Sequence, residues 1–173
     1  MKRLFLALIG LLALASCSMA PITIDLLPML GDNANGSQSL VATGNLDLRL
    51  PDADGETVSG YDTIQVRPSM VSLDYQLELA QDGDLSGNAE VTFYLAAPGT
   101  NLWDGANQLG EPQQVDMSQA GQTISGTLNL NATQIDALMA GEIVMGARVS
   151  GNVTGSATVS YEFKQLTLKV AFF

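Results

Sequence analysis

The chain of 173 residues contains no histidine and a single cysteine, Cys17. Proteins use these two residue types most often for base-assisted nucleophiles and zinc sites. Their absence after Cys17 excludes Ser-His-Asp triads, Cys-His pairs and histidine-bound metals. Paired carboxylates could still hydrolyse a glycoside, but eighteen acidic residues form close pairs by chance. The sequence therefore favours a protein that is not an enzyme and carries no cofactor.

Positive charge is also scarce. Beyond Cys17 the basic residues are Arg49, Arg67, Arg148, Lys164 and Lys169, and without Lys2 and Arg3 the net charge falls from −11 to −13. Widely spaced cations offer no basic stripe that could neutralise phosphates. Nucleic acid is therefore not an expected partner.

The amino terminus has the pattern of a targeting segment. Met1-Lys2-Arg3 is followed by an apolar stretch too short to span a bilayer comfortably, and then by Leu14-Ala15-Ser16-Cys17. This box resembles the lipobox of bacterial lipoproteins, although a plain secretory signal or a short membrane helix would also begin in this way. The resemblance covers residues 1–18 and implies a signal peptide over residues 1–16.

The same resemblance implies cleavage before Cys17 and acylation of this residue. The protein would then be held in the cell envelope by its N-terminal acyl chains, because two or three chains anchor a protein almost permanently. Ser18 stands where an aspartate usually retains Gram-negative lipoproteins in the inner membrane, which favours the outer membrane. Residues 17–38 are expected to be a tether or to include a first strand, with order beginning at Ile22 or only near Ser39.

Residues 39–173 are predicted to form one domain. Gly, Thr, Ser, Val and Leu recur, turn dipeptides are frequent, and apolar residues alternate along the chain. The prediction is an all-β, antiparallel β-sandwich of about seven to nine strands with one short helix. Further strands are expected over Ser39–Leu50, Val58–Val66, Gln122–Leu130, Glu142–Ser150 and Ala157–Phe172.

The most regular alternation lies in Ser69–Ala80 and Leu85–Ala97, where odd-numbered positions are apolar or small. A three-residue loop, Gln81-Asp82-Gly83, would pair Leu79 with Leu85 and keep both apolar sets on one face. These two segments are therefore predicted to form a hairpin.

Two local irregularities are also predicted. The apolar positions change parity between Phe163 and Leu166, which indicates a β-bulge near Lys164-Gln165 or a strand that crosses between sheets. Asn131 and Gln134 have the spacing of a capping box, so a short helix is expected to begin there.

Four aspartates are weak candidates for calcium. Asp82 and Asp84 open a segment with a glycine at the sixth position, but the twelfth is Phe93 where a glutamate is expected. Asp52 and Asp54 lie in an acidic turn that lacks the glycine spacing. The sequence favours ordinary turns at both places and no metal.

The longest segment without a pattern, Pro98–Gln114, contains the only tryptophan, Trp103, after Leu102. Long loops are often functional and tryptophan is frequent at binding hot spots. Both residues are candidates for contact with an envelope protein partner; alternatively, they fold back and cover the edge of the sandwich. The sequence thus predicts a non-catalytic binding or scaffolding module, and the alternative is a carrier of an apolar ligand or lipid between the sheets.

Overall fold

The computed structural model describes residues 21–61 and 64–172, which form an antiparallel β-sandwich. The predicted all-β fold is confirmed. The signal peptide, Cys17 and Phe173 lie outside the described residues. The strands are β1 Ile22–Asp25, β2 Asn35–Leu50, β3 Glu56–Ser59, β4 Met70–Ala96, β5 Gln108–Asp116, β6 Gly121–Asn129 and β7 Glu142–Ala171; the α-helices are α1 Leu27–Leu30 and α2 Ala132–Met139.

The predicted hairpin at Asp82-Gly83 is wrong, because β4 continues through it. Antiparallel pairing between β4 and β7 runs from Met70–Ala171 to Ala96–Val144, and Gly83 pairs with Ala157 on the way. The odd apolar positions fit a continuous strand as well as they fit a three-residue hairpin, so parity could not separate the two. For the same reason, the two strands predicted within 142–172 are the single strand β7.

Both long strands bend sharply so that one sheet folds over itself. Tyr75 and Phe93 lie eighteen residues apart on β4, about 59 Å in a straight strand, yet their ring centroids are 4.3 Å apart. The first layer therefore contains residues 70–80 of β4 and 160–171 of β7, with β6, β1 and the start of β2. The second contains residues 88–96 and 142–152, with β5, β3 and the end of β2.

The bend, which we call the crease, crosses β2, β4 and β7 at a group of glycines. At Gly155, φ is +114°, and a Cβ would stand 1.8 Å from the Asp84 carbonyl oxygen; at Gly87, φ is +123° and a Cβ would stand 2.2 Å from the Asn152 carbonyl oxygen. Side chains other than hydrogen do not fit such approaches. The other glycines of the crease are Gly44, Gly83 and Gly151.

The crease gives the molecule two different ends. Since β4 and β7 double back, both ends of each strand lie at one end of the sandwich, the open end, and the crease closes the other. The core between the layers includes Leu73, Leu77, Leu166 and Leu168, all with no exposed surface. Leu26 and Leu30 also belong to this core, so the described chain joins the fold from Ile22, the first of the two alternatives for the tether.

The two predicted local irregularities are confirmed. Gln76 pairs with Gln165 and Leu77 with Phe163, which leaves Lys164 as the extra residue of a β-bulge. In the capping box, the Asn131 side chain accepts from the Gln134 amide at 3.0 Å, and the Gln134 side chain accepts from the Asn131 amide at 2.9 Å. Helix α2 begins there, and α1 is a further single turn that the sequence did not predict.

Of the remaining strand predictions, some agree with the structure and others do not. Strands β2 and β6 agree with Ser39–Leu50 and Gln122–Leu130. Of the described residues in the predicted strand Val58–Val66, only Val58 and Ser59 belong to a strand, β3. Seven of the seventeen residues in the segment predicted to be irregular belong to strand β5. Its alternation is interrupted because Val91 pairs with Gln113 and Phe93 with Leu109, so three residues of β5 face Thr92.

We predict that Gly155→Ala lowers the free energy of unfolding by at least about 2 kcal/mol, since it adds a backbone clash to an unfavourable φ. Gly44→Ala is the matched control: φ is +134° on the same crease, but a Cβ there meets nothing within 4 Å. Urea unfolding of the purified mature protein in mild detergent measures both. Equal losses would show that the close approach at Gly155 does not limit the bend.

Candidate functional site

The structure divides the predicted partner-contact residues between surface and interior. Trp103 is half-buried, whereas Leu102 is only 3% exposed and packs with Tyr94 and Ala96 in a small apolar cluster on the outer side of the second layer. Leu102 therefore supports the loop from beneath and offers little surface of its own. The contribution of either residue to a partner contact stays a prediction.

Trp103 is held in place by contacts from distant parts of the chain. Its indole Nε1 donates to the Ala53 carbonyl oxygen at 2.7 Å, and its ring meets Tyr94 edge-on with 5.3 Å between centroids. The Arg49 guanidinium carbon lies 5.2 Å from the ring centroid, a cation–π geometry. The tryptophan is thus preorganised.

The loop around Trp103 is fixed by local hydrogen bonds and by α2. The Asp104 side chain accepts from the Ala106 amide at 2.9 Å, and Asn107 Nδ2 donates to the Asn101 carbonyl oxygen at 2.8 Å. The buried Gln134 side chain of α2 donates to the carbonyl oxygens of Asn107 and Gln108 at 3.1 and 3.2 Å. The capping box therefore also secures the loop.

Two cations and a carboxylate adjoin the tryptophan on the outer face of β2 and β7. Asp47 accepts from Arg148 Nε at 2.6 Å and from Arg148 Nη2 at 3.0 Å, a bidentate pair. Arg49 Nη2 lies 3.8 Å from the same carboxylate. We call Asp47, Arg49, Tyr94, Trp103 and Arg148 the Trp103 surface.

The hydrogen bond from Arg148 is the main cause that lowers the pKa of Asp47, while burial opposes it and the charges of Arg148 and Arg49 add to the lowering. The same bond raises the pKa of Arg148. The pair stays ionised near neutral pH, and it is partly exposed on both sides. The surface can therefore offer fixed donors, a carboxylate and an aromatic ring to a partner.

An open groove begins at this surface. It has a volume of about 730 Å³ and runs from Asp47, Arg49 and Ala53 along β2 to Asn33 and Tyr161. Grooves and the loops beside them are common binding sites in proteins. Sequence reasoning found Trp103 but missed Asp47, Arg49 and Arg148, because only the β2–β7 pairing brings them together.

The weak calcium candidates do not come together. Asp82 and Asp84 are exposed on β4, opposite Thr158 and Ser156 of β7. The Asp52 side chain accepts from the amides of Asp54 and Gly55 at 2.8 and 3.0 Å and so closes a turn. Within residues 21–61 and 64–172, no three acidic or metal-binding side chains are grouped as a metal site requires.

Comparison with known proteins identifies no family. No family model and no curated protein matches the chain. Among solved structures, one from the Gx strain of infectious bursal disease virus matches with a TM-score of 0.42 and 12% identity, over 90% of this chain and 32% of that chain. This chain thus spans about a third of that viral protein.

Two further solved structures match the chain with slightly lower TM-scores. A carbohydrate-binding module, CBM28, specific for non-crystalline cellulose, matches with a TM-score of 0.36 and 11% identity over 73% of this chain and 79% of that one. Dimeric latent PorU from Porphyromonas gingivalis matches with a TM-score of 0.35 and 10% identity over 91% and 14%. Among the described residues, no helix has the length and apolar character to cross a membrane.

We predict that the stability of the protein falls on acidification partly through Asp47. The pKa of Asp47 is lowered in the folded state from 3.8, so its stabilising effect is complete above the unfolded-state pKa and is lost as the pH falls below that value toward the folded pKa. Unfolding free energies measured between about pH 7 and pH 3 should drop less for Asp47→Asn than for wild type. Asp84→Asn is the control, and identical profiles for Asp47→Asn and wild type would contradict the prediction.

Proposed function

We propose that the protein is a non-catalytic binding module of the cell envelope, anchored through acyl chains on Cys17, in the outer membrane where the cell has one. Its partner is an envelope protein that contacts the Trp103 surface. The observation that carries the proposal is the convergence of the sole tryptophan with Arg49, Arg148 and Asp47 on one exposed face. Tryptophan and arginine are the residue types most enriched at binding hot spots.

The direction of the pKa shifts supports a role without catalysis. A carboxylic acid that protonates a leaving group needs a raised pKa. The pKa values of Asp47, Asp74 and Asp116 are instead lowered, chiefly by hydrogen bonds from Arg148, Lys169 and Ser118 respectively. These three carboxylates are therefore suited to hold an ion pair or a turn rather than to transfer a proton.

The open end of the sandwich supports anchoring at a membrane. Ile22, Val66 and Met70 are 44, 61 and 48% exposed there, and a groove of about 560 Å³ beside Ile22 is lined mostly by apolar side chains such as Ile64 and Phe172. Ile22 follows Cys17 by five positions, a reach of at most about 18 Å. An acylated Cys17 would hold this apolar end against the lipid surface.

The packing between the layers does not favour the alternative function, a lipid carrier. A cavity lined by Phe93, Met145, Phe163 and Leu166, among others, holds about 10 Å³. Ligand pockets usually have volumes of about 300–1,000 Å³. A bound lipid would have to separate the two layers, so the binding module is the better supported of the two.

Anchoring is tested by lipid labelling. We predict that labelled palmitate enters the wild-type protein but not Cys17→Ala. Equal labelling of the two proteins would refute the anchor.

The orientation is tested with a spin label on Val66→Cys or Asp84→Cys in the lipidated protein on phosphatidylcholine–phosphatidylglycerol vesicles. The label at Val66 should collide with dissolved oxygen in the bilayer, and the label at Asp84, which is exposed near the crease, should collide with a water-soluble nickel reagent. Equal collision profiles would refute the orientation alone.

Partner binding is tested at Trp103. Because this residue is half-buried and hydrogen-bonded, we predict that Trp103→Ala costs about 1–3 kcal/mol, less than the 3–5 kcal/mol of a buried aromatic, and abolishes recovery of cross-linked envelope proteins. Arg49→Gln should reduce recovery with little loss of stability. Thr123→Ala, exposed on the first layer, is the control. Undiminished recovery with both Trp103→Ala and Arg49→Gln would remove the Trp103 surface from the proposal.

A further inference from the structure

The edge of β2 is the longest strand edge without a neighbour in the described part of the chain. One side of β2 pairs with β7 over all sixteen residues, from Asn35–Glu162 to Leu50–Ala147, and no strand among the described residues pairs with the other side. Such an edge presents backbone donors and acceptors that pair readily with another strand.

This edge lacks the features that usually prevent pairing. Residues 33–46 contain no charged residue and no proline, although the mature chain carries a net charge of about −13. Edge strands are normally protected by lysine, proline or inward charges. The unprotected run lies between Asp32 and Asp47 and includes all of β2 except its last four residues.

An apolar side chain stands at the middle of the run. Val41 is 80% exposed, more than Ile22, Val66 or Met70. It lies on the outer face beside Ser156, away from the apolar open end. A β-branched residue gains most when a cross-strand neighbour covers it.

We propose that β2 pairs antiparallel with β2 of a second copy of this chain, on a two-fold axis at Val41. Val41 then faces Val41 of the second copy, Leu40 faces Ala42, and Ser39 faces Thr43. Facing residues have the same parity, so outward side chains, including Val41, meet outward ones, and the inward Leu40 meets the inward Ala42. A two-fold interface requires this kind of self-complementarity.

Charge and shape agree with this register. Asn35 faces Asp47 of the second copy, so no two like charges oppose each other within residues 35–47 despite the acidity of both chains. A two-fold axis normal to the sheet also keeps the concave side of both copies on the same side. In this register, Gly44 at the crease of β2 faces Gln38 of the second copy, so the two creases lie six residues apart along the paired strands.

The pairing also accounts for the open groove. The groove of about 730 Å³ is lined on both sides by β2, including Leu40, Leu46 and Leu48. Among residues 21–61 and 64–172, no strand covers this side of the sandwich. In the dimer the two grooves meet, and each copy covers the open side of the other.

The test uses the near absence of thiols from the chain. When Cys17 is acylated, Val41→Cys supplies the only free thiol. Paired residues of neighbouring strands have Cα atoms about 4.5–5.5 Å apart, within the range of a disulfide. Mild oxidation of cells that express the full chain should convert Val41→Cys to a species of twice the mass, while Ser39→Cys alone should not convert. Co-expression of Ser39→Cys with Thr43→Cys should restore cross-linking.

Wild type is the control for Cys17 itself. A disulfide-linked dimer of wild type would show that Cys17 is free, which would contradict the anchor without bearing on β2.

For purified protein in detergent, light scattering should show a dimer whose dissociation constant falls as salt screens the two acidic chains. Val41→Asp should raise this constant at least tenfold, and the same substitution at another exposed valine, Val66→Asp, should leave it unchanged. A monomeric wild type, equal effects of both variants, or a Val41→Cys adduct of a different mass would overturn the proposal; the last would identify a separate protein as the occupant.

Discussion

The close approach of backbones at the crease is the constraint on which the rest of the structure depends. Gly155 and Gly87 lie where the carbonyl oxygens of the neighbouring strand occupy the place of a side chain. Only this approach lets β4 and β7 reverse direction together while they remain paired. The two layers, their common core and the grouping of all long-strand ends at one end follow from it.

The bend explains why apolar residues alternate regularly along the whole of β4. Odd-numbered residues face inward both before and after the crease, so Tyr75 and Phe93 meet across the core although they belong to one strand. Strand β7 reaches the same result with the extra residue Lys164, which shifts its parity in the first layer. A single sheet can thus supply both walls of a sandwich without a hairpin.

Local chemistry could be predicted from the sequence, whereas long-range pairing could not. The capping box of Asn131 and Gln134 and the bulge at Lys164 depend on neighbouring residues, and both were predicted correctly. The hairpin at Gly83 was wrong because positive φ serves a turn and a bend equally well. Strand β5 was missed because its bulge conceals the alternation.

The candidate site also combines a residue that the sequence could predict with contacts that it could not. Trp103 could be singled out as the sole tryptophan in an irregular segment, but its contacts with Ala53 and Arg49 join positions about fifty residues apart. The pair of Asp47 and Arg148 is separated by 101 positions and depends on the register of β2 with β7. No local sequence pattern specifies the register between these two strands.

The continuous β4–β7 ladder has a consequence for the route of folding. Its pairs are 48 positions apart at Ala96–Val144 and 101 positions apart at Met70–Ala171. Closing a longer loop costs more entropy, and non-local pairing slows folding. We therefore expect pairing to begin in the second layer, beside β5, and to proceed through the crease towards the first, with the last rungs formed next to the amino-terminal strand. Since every rung belongs to one ladder, neither layer is expected to persist without the other.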